Sequence, residues 1–232
     1  MKDFSPLESS LNVSFKDKNF LVQAFIHRSY LNENPDSGLQ HNERLEFLGD
    51  AVLELAVTER LYENYPGKPE GELTTWRAAL VNAKMLSEVA RSLGFNDFLL
   101  MSRGEAQEEG KARDYILANT MEAFIGSLYL DQGLKVCEKF IEEHILSRLP
   151  VILTEKLFED AKSRFQEQAQ EKAGSTPTYQ VIQEWGPDHA KNFKVGVVLG
   201  SEIVAEGRGT SKQEAEQDAA SQALKKKHWD NH

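Results

Sequence analysis

The sequence predicts a protein of two domains, an all-α domain followed by a smaller α+β domain with the element order α-β-β-β-α. Three observations support this prediction. Apolar residues recur with the helical period almost throughout residues 1–150. Residues 159–228 instead contain three short strand-like segments between two helical ones. The chain of 232 residues is long enough for two cores, and residues 151–158 are expected to form a linker between them.

Glycine, proline and short polar residues punctuate the first domain, as in NENPDSG and YPGKPEG. The predicted helices cover residues 19–29, 42–65, 71–82, 83–93, 115–131 and 134–148. The segment SRGEAQEEGKARD is polar and is expected to be a loop. No segment of this domain has convincing strand periodicity, so we expect it to be entirely helical.

The second domain begins with an amphipathic helix at residues 161–172. Strands follow in TYQVI, FKVGVVL and EIVAEG, and a last helix covers residues 212–227. This order predicts a three-stranded antiparallel sheet with the helices on one face. The residues expected in its core are Tyr179, Val181, Phe193, Val195, Val197, Ala215, Ala219, Ala220 and Leu224.

Composition is that of a soluble globular protein, with 40% hydrophobic and 28% charged residues. We expect a cytoplasmic protein without membrane contact, because neither a membrane-length apolar run nor a signal-peptide pattern is present. The single cysteine, Cys137, excludes an intramolecular disulfide and a cysteine-rich zinc site. The net charge of -10 is concentrated in residues 1–158, with 17 basic and 25 acidic residues, whereas residues 159–228 have 10 and 11.

An acidic row is predicted on the helix at residues 42–65, in the segment ERLEFLGDAVLELAVTERL. Its members share one side of the helix and are Glu43, Glu46, Asp50 and Glu54. The other side carries an apolar stripe formed by Leu45, Leu48, Val52 and Leu55. Like charges at these spacings repel by roughly a few tenths of a kcal/mol per pair, although such a row is most often only a solvated face. Phe47 lies near the acidic side, which suggests that a partner surface covers it.

A second acidic position lies in YILANTMEAFIGSLYLDQG, where apolar residues surround Glu122 and Asn119 lies one turn earlier. A lone glutamate in such a helix is costly unless it is paired or bound to a cation. One alternative needs no function, because Asn119 as N-cap and Glu122 three residues later would form a capping arrangement. The acids of the two helices together favour a site for Mg²⁺ or Mn²⁺, whose natural chemistry is phosphoryl transfer.

Several segments closely resemble those of the ribonuclease III family. NERLEFLGDAVL resembles the family signature, and AFIHRSYLNE, GELTTWRAALVN, SRGE and ILANTMEAFIGSLYLDQG resemble further family segments in the same order. The C-terminal part resembles the double-stranded RNA-binding domain of bacterial members. The resemblance implies an all-α ribonuclease III-type endonuclease domain at residues 1–150, a linker at 151–158 and a double-stranded RNA-binding domain at 159–228.

The resemblance also implies roles for single residues. It implies metal-binding acids at Glu46, Asp50 and Glu122, of which Asp50 and Glu122 matter most for hydrolysis. Additional acids near the family's site fall on Glu43 and Glu72. The implied cofactor is Mg²⁺, with Mn²⁺ as its substitute.

Asn119 departs from the family pattern, which usually has aspartate at this position. An amide oxygen can still coordinate Mg²⁺, but it carries no charge, so we expect the ion to be held less tightly. We favour an active enzyme that uses Asn119 as a further metal ligand. The alternatives are a catalytically impaired dimeric protein that binds double-stranded RNA without cutting it, and a structural helical protein with an acidic face.

The second domain offers three surfaces for duplex RNA, which is recognised mainly by shape through its minor grooves and phosphates. The first helix presents Lys162, Ser163, Gln166 and Glu167. The turn GPDHAK presents His189 and Lys191. The entrance of the last helix presents Thr210, Ser211 and Lys212, although Ser211 and Glu214 also match an ordinary capping box. Gln213 replaces a basic residue of the family, so we expect weaker, more salt-sensitive binding.

The activity implied by the resemblance is hydrolysis of double-stranded RNA by a homodimer. Phe47 matches an aromatic residue that packs across the family's dimer interface. Each chain cuts one strand and leaves 5′-phosphate and 3′-hydroxyl ends with a short 3′ overhang. RNA processing is the expected role, and ribosomal precursors, messengers and antisense duplexes all stay open as substrates.

Overall fold

The structure is a computed structural model, and it describes residues 2–107, 110–154, 161–187 and 191–229. Contacts between Cα atoms divide the chain into two compact units, Met1–Phe158 and Glu159–His232. Each unit buries its apolar side chains in a hydrophobic core of its own, as separate domains do.

The first unit is helical. Its helices are α1 (Ser5–Leu11), α2 (Lys18–Ala24), α3 (Arg28–Glu33), α4 (Glu43–Asn64), α5 (Glu70–Val81), α6 (Ala83–Ser92), α7 (Arg103–Gln107), α8 (Lys111–Gln132), α9 (Leu134–His144) and α10 (Leu149–Thr154). Short 3₁₀ turns lie at Pro35–Ser37, Phe95–Asp97 and Leu146–Arg148. Strand-like pairing in the described residues of this unit is limited to a bridge between Ile26 and Leu100.

Helices α4 and α8 pack at the centre of the first unit, and two glycines bring their backbones together. A Cβ atom built on Gly49 would lie 1.7 Å from the carbonyl oxygen of Glu122 and 2.8 Å from the backbone nitrogen of Gly126. A Cβ atom built on Gly126 would lie 2.2 Å from the carbonyl oxygen of Leu45. Real Cβ atoms do not approach backbone atoms so closely. Only glycine therefore fits at either position, and the helices cross in backbone contact.

Aromatic side chains fill the core around this crossing. The ring of Phe124 on α8 has its centroid 5.2 Å from that of Phe95, 5.1 Å from that of Phe140 and 5.7 Å from that of Phe15. Phe25 packs against the same cluster, 5.0 Å from Phe95. Tilted and edge-to-face arrangements of this kind are preferred by aromatic pairs. They anchor α8 in the core of the first unit.

The predicted helix at residues 19–29 is wrong in one respect, because it consists of two helices, α2 and α3, with a break at residues 25–27. The His27 N–H donates to the Leu100 carbonyl at 2.9 Å, and the Leu100 N–H donates to the Phe25 carbonyl at 2.8 Å. The Asn42 side chain donates to the Ala24 carbonyl at 3.1 Å. Partners distant in sequence thus satisfy the backbone groups at the break, and local periodicity does not reveal them.

Other segments also differ from the sequence expectation. Part of the expected loop SRGEAQEEGKARD forms α7, and α8 begins at Lys111 rather than at residue 115. The helix predicted at 134–148 ends at His144 and is followed by a 3₁₀ turn. Residues 151–154 of the expected linker are helical, and Ile152 is buried in the first core. Residues 108–109 and 155–158 lie outside the described residues.

The second unit contains α11 (Ala161–Ala173), β1 (Thr178–Trp185), β2 (Asn192–Leu199), β3 (Glu202–Gly209) and α12 (Lys212–Lys227). The strands form an antiparallel sheet in the order β1-β2-β3, so the predicted α-β-β-β-α domain is confirmed. Phe165 of α11, Val197 of β2 and Ala219 of α12 share one core. A Cβ atom built on Gly207 would lie 2.1 Å from the Ala219 nitrogen, so α12 packs closely against β3.

Most residues predicted for the second core are buried or half-buried. The fully buried ones are Val195, Val197, Ala215, Ala219, Ala220 and Leu224. Tyr179 and Phe193 are half-buried. The prediction is wrong for Val181, which is 41% exposed. This residue lies on the edge strand β1 beside a register shift between Val181 and Gln183, where a bulge twists the strand.

The glycine crossing predicts a large effect of a single methyl group. We expect Gly49→Ala to lower the free energy of unfolding of the first unit by about 3 kcal/mol, because the added Cβ meets backbone atoms that have no room to move. Calorimetric melting of the full chain measures this change. The transition of the second unit serves as an internal reference.

Gly71→Ala is the matched control for this substitution. Gly71 lies in α5, and a Cβ atom built there would meet nothing within 4 Å. We expect it to change the free energy of unfolding by about 1 kcal/mol or less, in the stabilising direction. Equal effects of the two substitutions would contradict the crossing.

Candidate functional site

The crossing of α4 and α8 places acidic side chains of the two helices beside each other. Glu46 and Asp50 lie on either side of Gly49 on α4, and Gly49 lies against the backbone of Glu122. Glu46 and Glu122 are half-buried, whereas Asp50 is exposed. The acid-bearing segments predicted separately from the sequence therefore meet at one place.

The carboxylates at this crossing repel one another. The pKa of Glu122 is raised to about 7, first by burial and then by the charges of Asp50, Glu46 and Glu54. The pKa of Glu46 is also raised, first by burial and then by the charges of Glu43 and Asp50. Each negative charge added to this cluster therefore makes the next ionisation less favourable.

Glu46, Asp50 and Glu122 are not neutralised by the protein. In the described part of the chain, none of these three carboxylates forms an ion pair or accepts a side-chain hydrogen bond. Half-buried carboxylates without a counter-charge favour the binding of a cation. A positive charge that would balance these three carboxylates is therefore missing from the described residues.

The acids at the edge of this cluster do have partners. The Glu54 carboxylate lies 2.9 Å from the Arg77 Nε of α5. The Glu43 carboxylate lies 3.6 Å from Arg28 and 3.7 Å from His41. Sequence reasoning missed Arg77 because the pair joins two helices that are distant along the chain.

Glu72 is not drawn into the cluster within one chain. Its carboxylate lies 2.7 Å from the Lys68 Nζ, an exposed i, i+4 pair at the start of α5. The charge of Glu72 is not among those that raise the pKa of Glu46 or Glu122. Within one chain, Glu72 therefore pairs with Lys68 and does not contribute to the raised pKa of Glu46 or Glu122.

Asn119 lies well inside α8, which begins at Lys111. The alternative in which Asn119 caps a helix and Glu122 completes a capping box is therefore wrong. The sequence pattern places the start of this helix too late, at residue 115. Asn119 is half-buried and lies three residues before Glu122, hence on the same helix face. Its amide is a neutral oxygen donor on the helix that carries Glu122.

These donors suit a hard divalent cation. Carboxylate and amide oxygens are the ligands of Mg²⁺, which keeps several of its waters and needs few ligands from the protein. No group of three His, Cys, Asp or Glu side chains within the described ranges is already arranged to hold a metal ion. The residues fit such an ion by donor chemistry and charge.

Phe47 is 82% exposed, on the same helix as the acids. Leu55 and Tyr62 follow it at near-heptad spacing and are 55% and 74% exposed, so α4 carries an exposed apolar stripe. Within the apolar stripe predicted for α4, Leu45 and Val52 are buried and Leu48 is half-buried, but Leu55 is exposed. An exposed apolar stripe of this length is typical of a surface that meets another protein.

Two helices of the second unit carry the residues predicted to meet RNA. On α11, Ser163, Gln166 and Glu167 are exposed. At the start of α12, the Ser211 hydroxyl accepts a hydrogen bond from the Glu214 N–H at 3.1 Å, so the ordinary capping role of Ser211 is confirmed. The Glu214 carboxylate in turn accepts from the Thr210 N–H at 2.9 Å. His189 lies outside the described residues.

The predicted RNA-contacting lysines are all engaged by glutamates of the same unit. Lys162 Nζ lies 2.6 Å from the Glu216 carboxylate. Lys212 Nζ and Lys191 Nζ lie 3.3 Å and 3.9 Å from the Glu184 carboxylate. Sequence reasoning missed both glutamates, because each pairs with a lysine on a different element, and helical or strand spacing relates residues of one element only.

The thiol of Cys137 on α9 takes no part in either site. It is fully buried, and burial raises its pKa to about 12. The Sγ atom donates a weak hydrogen bond to the Ile125 carbonyl at 3.6 Å. The group is therefore a protonated, shielded core side chain.

The fold and the site define a class of protein, a helical nuclease domain with a carboxylate site followed by a double-stranded RNA-binding domain. Comparison with known families agrees with this class. A family model described as Ribonuclease-III-like matches residues 17–149, and one described as Double-stranded RNA binding motif matches residues 161–227. The chain belongs to the ribonuclease III family, which is a family of divalent-metal-dependent nucleases.

Relatives of known name match along nearly the whole chain. A protein of Oceanobacillus iheyensis named Ribonuclease 3 is 45% identical over 222 residues, which cover 96% of this chain and 97% of the relative. Ribonuclease 3 of Protochlamydia amoebophila is 42% identical over 218 residues, covering 94% of this chain and 89% of the relative.

A solved structure of the nuclease domain of ribonuclease III from Campylobacter jejuni is 40% identical, with a TM-score of 0.58. It covers 64% of this chain and 99% of its own. Among the described residues, no helix combines the length and the apolar composition needed to cross a membrane.

The raised pKa of Glu122 predicts how the stability of the metal-free protein depends on pH. Between the ordinary value of 4.5 and about 7, the unfolded chain has lost this proton whereas the folded protein retains it. Because the folded state binds more protons, the free energy of unfolding falls as the pH rises through this window and then levels off. Thermal melting in EDTA across the same window measures the slope.

Two variants identify the source of this slope. Glu122→Gln has no proton to lose and should flatten the dependence in part. Glu59→Gln removes an exposed acid of α4 and should keep the wild-type slope. A slope that Glu122→Gln leaves unchanged would assign the pH dependence to other groups.

Proposed function

We infer that this ribonuclease III-type endonuclease cuts double-stranded RNA by Mg²⁺-dependent hydrolysis, with Mn²⁺ as a substitute ion. The observation that carries this inference is the cluster of un-neutralised carboxylates at the α4–α8 crossing, in a chain of a metal-dependent nuclease family. The products are 5′-phosphate and 3′-hydroxyl ends. RNA processing in the cytoplasm follows as the role.

Glu46, Asp50, Asn119 and Glu122 are the proposed ligands of the ion. A bound divalent cation supplies Lewis-acid stabilisation of the charge that develops on the phosphate oxygens. Asp50 is exposed and lies next to the crossing, where it is accessible to a scissile phosphate. Glu122 is half-buried and holds a proton near neutral pH in the absence of a cation, so binding of the ion releases that proton.

The acids beside the cluster have supporting roles in this proposal. Arg77 and Arg28 fix Glu54 and Glu43 at the edge of the site and limit the total negative charge that approaching RNA meets. Within one chain, Glu72 pairs with Lys68. In this proposal, Glu72 is an additional acid of the site of the second subunit in a homodimer. A homodimer would place two such sites on opposite strands of one duplex.

The proposed dimer forms through the exposed stripe of α4 around Phe47. A groove of about 640 Å³ lies beside this residue, lined in part by Phe20, Leu48 and Leu130. An exposed aromatic ring next to an apolar groove is self-complementary under twofold symmetry. The name of the Campylobacter jejuni structure refers to a region involved in dimer formation of that nuclease domain, which supports this proposal.

The second unit is the proposed source of RNA affinity. Its matched family motif and its α-β-β-β-α order support binding to duplex RNA through Lys162, Ser163, Gln166 and Glu167 on α11. Thr210, Ser211 and Lys212 at the start of α12 would meet phosphates, and His189 and Lys191 would reach a minor groove. We assign residues 1–150 to the nuclease domain and 159–228 to the RNA-binding domain.

An active site without these carboxylates should not cut RNA. We expect Asp50→Asn and Glu122→Gln each to lower the single-turnover cleavage rate in Mg²⁺ by at least about 100-fold, because each removes a charge that holds the ion. A labelled RNA duplex resolved on a denaturing gel measures the rate. Glu59→Gln removes the same charge from an exposed position on α4 and serves as the control. Cleavage at the wild-type rate by both Asp50→Asn and Glu122→Gln would refute the assignment.

Asn119→Asp is the converse variant and decides whether the amide impairs the site. With a fourth carboxylate, half-maximal cleavage should require less Mg²⁺ than in the wild type. If the wild type shifts duplex RNA on a native gel without cutting it in Mg²⁺ or Mn²⁺, the protein is a binder and not a nuclease.

The exposed stripe of α4 predicts the assembly state. We expect Phe47→Ala to raise the dimer dissociation constant about 30-fold, since buried aromatic anchors contribute about 2 kcal/mol to an interface. Sedimentation velocity over a range of concentrations measures the constant. Val151→Ala shortens another exposed apolar side chain, on α10, and should leave the constant unchanged.

A further inference from the structure

The second unit is an RNA-binding domain without an excess of positive charge, with 10 basic and 11 acidic residues between 159 and 228. Nucleic-acid binding depends largely on lysine and arginine contacts with phosphates. Two glutamates, Glu184 and Glu216, engage the three described lysines that are expected to make these contacts. Each glutamate forms a separate group with its lysines.

The first group is centred on Glu184 near the end of β1. Its carboxylate lies 3.3 Å from Lys212 and 3.9 Å from Lys191. Glu184 is paired in register with Phe193 of β2, and the Lys212 ammonium lies 5.7 Å from the centre of the Phe193 ring. One carboxylate and one aromatic face thus hold the ammonium group at the entrance of α12.

The second group repeats this arrangement with other residues. The Lys162 ammonium of α11 lies 2.6 Å from the Glu216 carboxylate of α12 and 5.0 Å from the centre of the Tyr179 ring. Lys162 and Glu216 are about one-third and one-quarter exposed, so this pair is less accessible to solvent than the first.

We propose that Glu184 and Glu216 limit the affinity of the domain for duplex RNA by competing with RNA phosphates for Lys212, Lys191 and Lys162. A phosphate that reaches one of these lysines must displace the glutamate or bind beside its negative charge. Either event subtracts from the electrostatic attraction that drives binding. The proposal rests on the assignment of these lysines to the RNA-binding face under the proposed function.

A positioning role for the glutamates has the opposite consequence. If Glu184 only held Lys212 in the orientation that meets a phosphate, its loss would free the side chain and weaken binding. Competition predicts that the loss of Glu184 strengthens binding. The sign of the change therefore separates the two roles.

The unit also contains a matched ion pair on its other face. Lys194 Nζ lies 2.5 Å from the Glu206 carboxylate. Gly207 faces α12, so the neighbouring Glu206 points to the side of the sheet without helices. Glu206→Gln removes the same charge from the same domain without touching the RNA-binding face, and it controls for the change in net charge.

The test measures binding of the full chain to a labelled RNA duplex by filter binding in EDTA, which prevents cleavage. We expect Glu184→Gln to lower the dissociation constant about two- to fivefold and Glu216→Gln to lower it by a smaller factor within that range, in keeping with exposed ion pairs. Binding of both variants should also depend more steeply on salt, because the lysines then bind phosphates and displace counterions without competition from these carboxylates. Glu206→Gln should match the wild type.

Lys212→Gln separates failure of this proposal from failure of the RNA-binding assignment. If Lys212→Gln weakens binding while Glu184→Gln leaves it unchanged or weakens it, the competition is refuted and the RNA-binding face stands. If Lys212→Gln has no effect, the RNA-binding face itself is wrong. If Glu206→Gln raises the affinity for the duplex as much as Glu184→Gln does, the change in net charge alone explains the effect, and the proposal is refuted. Circular dichroism melting confirms that each variant is folded.

Discussion

The backbone contact between α4 and α8 at Gly49 and Gly126 is the constraint on which the active site depends. A side chain at either glycine would push the helices apart, since its Cβ atom would lie within 2.2 Å of a carbonyl oxygen. The close approach brings Glu46 and Asp50 next to Glu122 and partly buries two of the three carboxylates. Their repulsion is therefore imposed by packing, and the core around Phe124 supplies the free energy that holds them together.

The distribution of partners among the charged residues is the second theme of the structure. In the first unit, arginines pair with Glu43 and Glu54 at the edge of the cluster. In the second unit, glutamates pair with the lysines that the proposed function assigns to RNA contact. In the described residues, charge pairing thus differs between the units: the carboxylates at the α4–α8 crossing have no counter-charge, whereas Lys162, Lys191 and Lys212 lie against carboxylates.

Much of this arrangement follows from the sequence, because long amphipathic helices carry strong periodic signals. Helices α4, α5 and α6 end within one residue of their predicted bounds, and α12 matches its prediction at both ends. The spacing of Glu43, Glu46 and Asp50 places these acids on one helix face before any coordinates are known. The element order of the second unit follows from the change of period after residue 160.

The parts that the sequence did not reveal depend on partners distant along the chain. The break between α2 and α3 is made by backbone pairing with Leu100, and the exposure of Leu55 depends on which side of α4 meets α8. The ion pairs of Glu184 and Glu216 join separate elements in the same way. Local periodicity describes one element at a time, so contacts between elements lie beyond it.

The buried Cys137 has a practical consequence. Its thiol is shielded by the core and stays protonated at any pH at which the protein is handled, so maleimide reagents will leave it unmodified in the folded state. The natural chain therefore behaves as a cysteine-free background. A cysteine introduced on an exposed helix face would carry a single fluorophore or spin label, which makes site-specific spectroscopy of the chain possible.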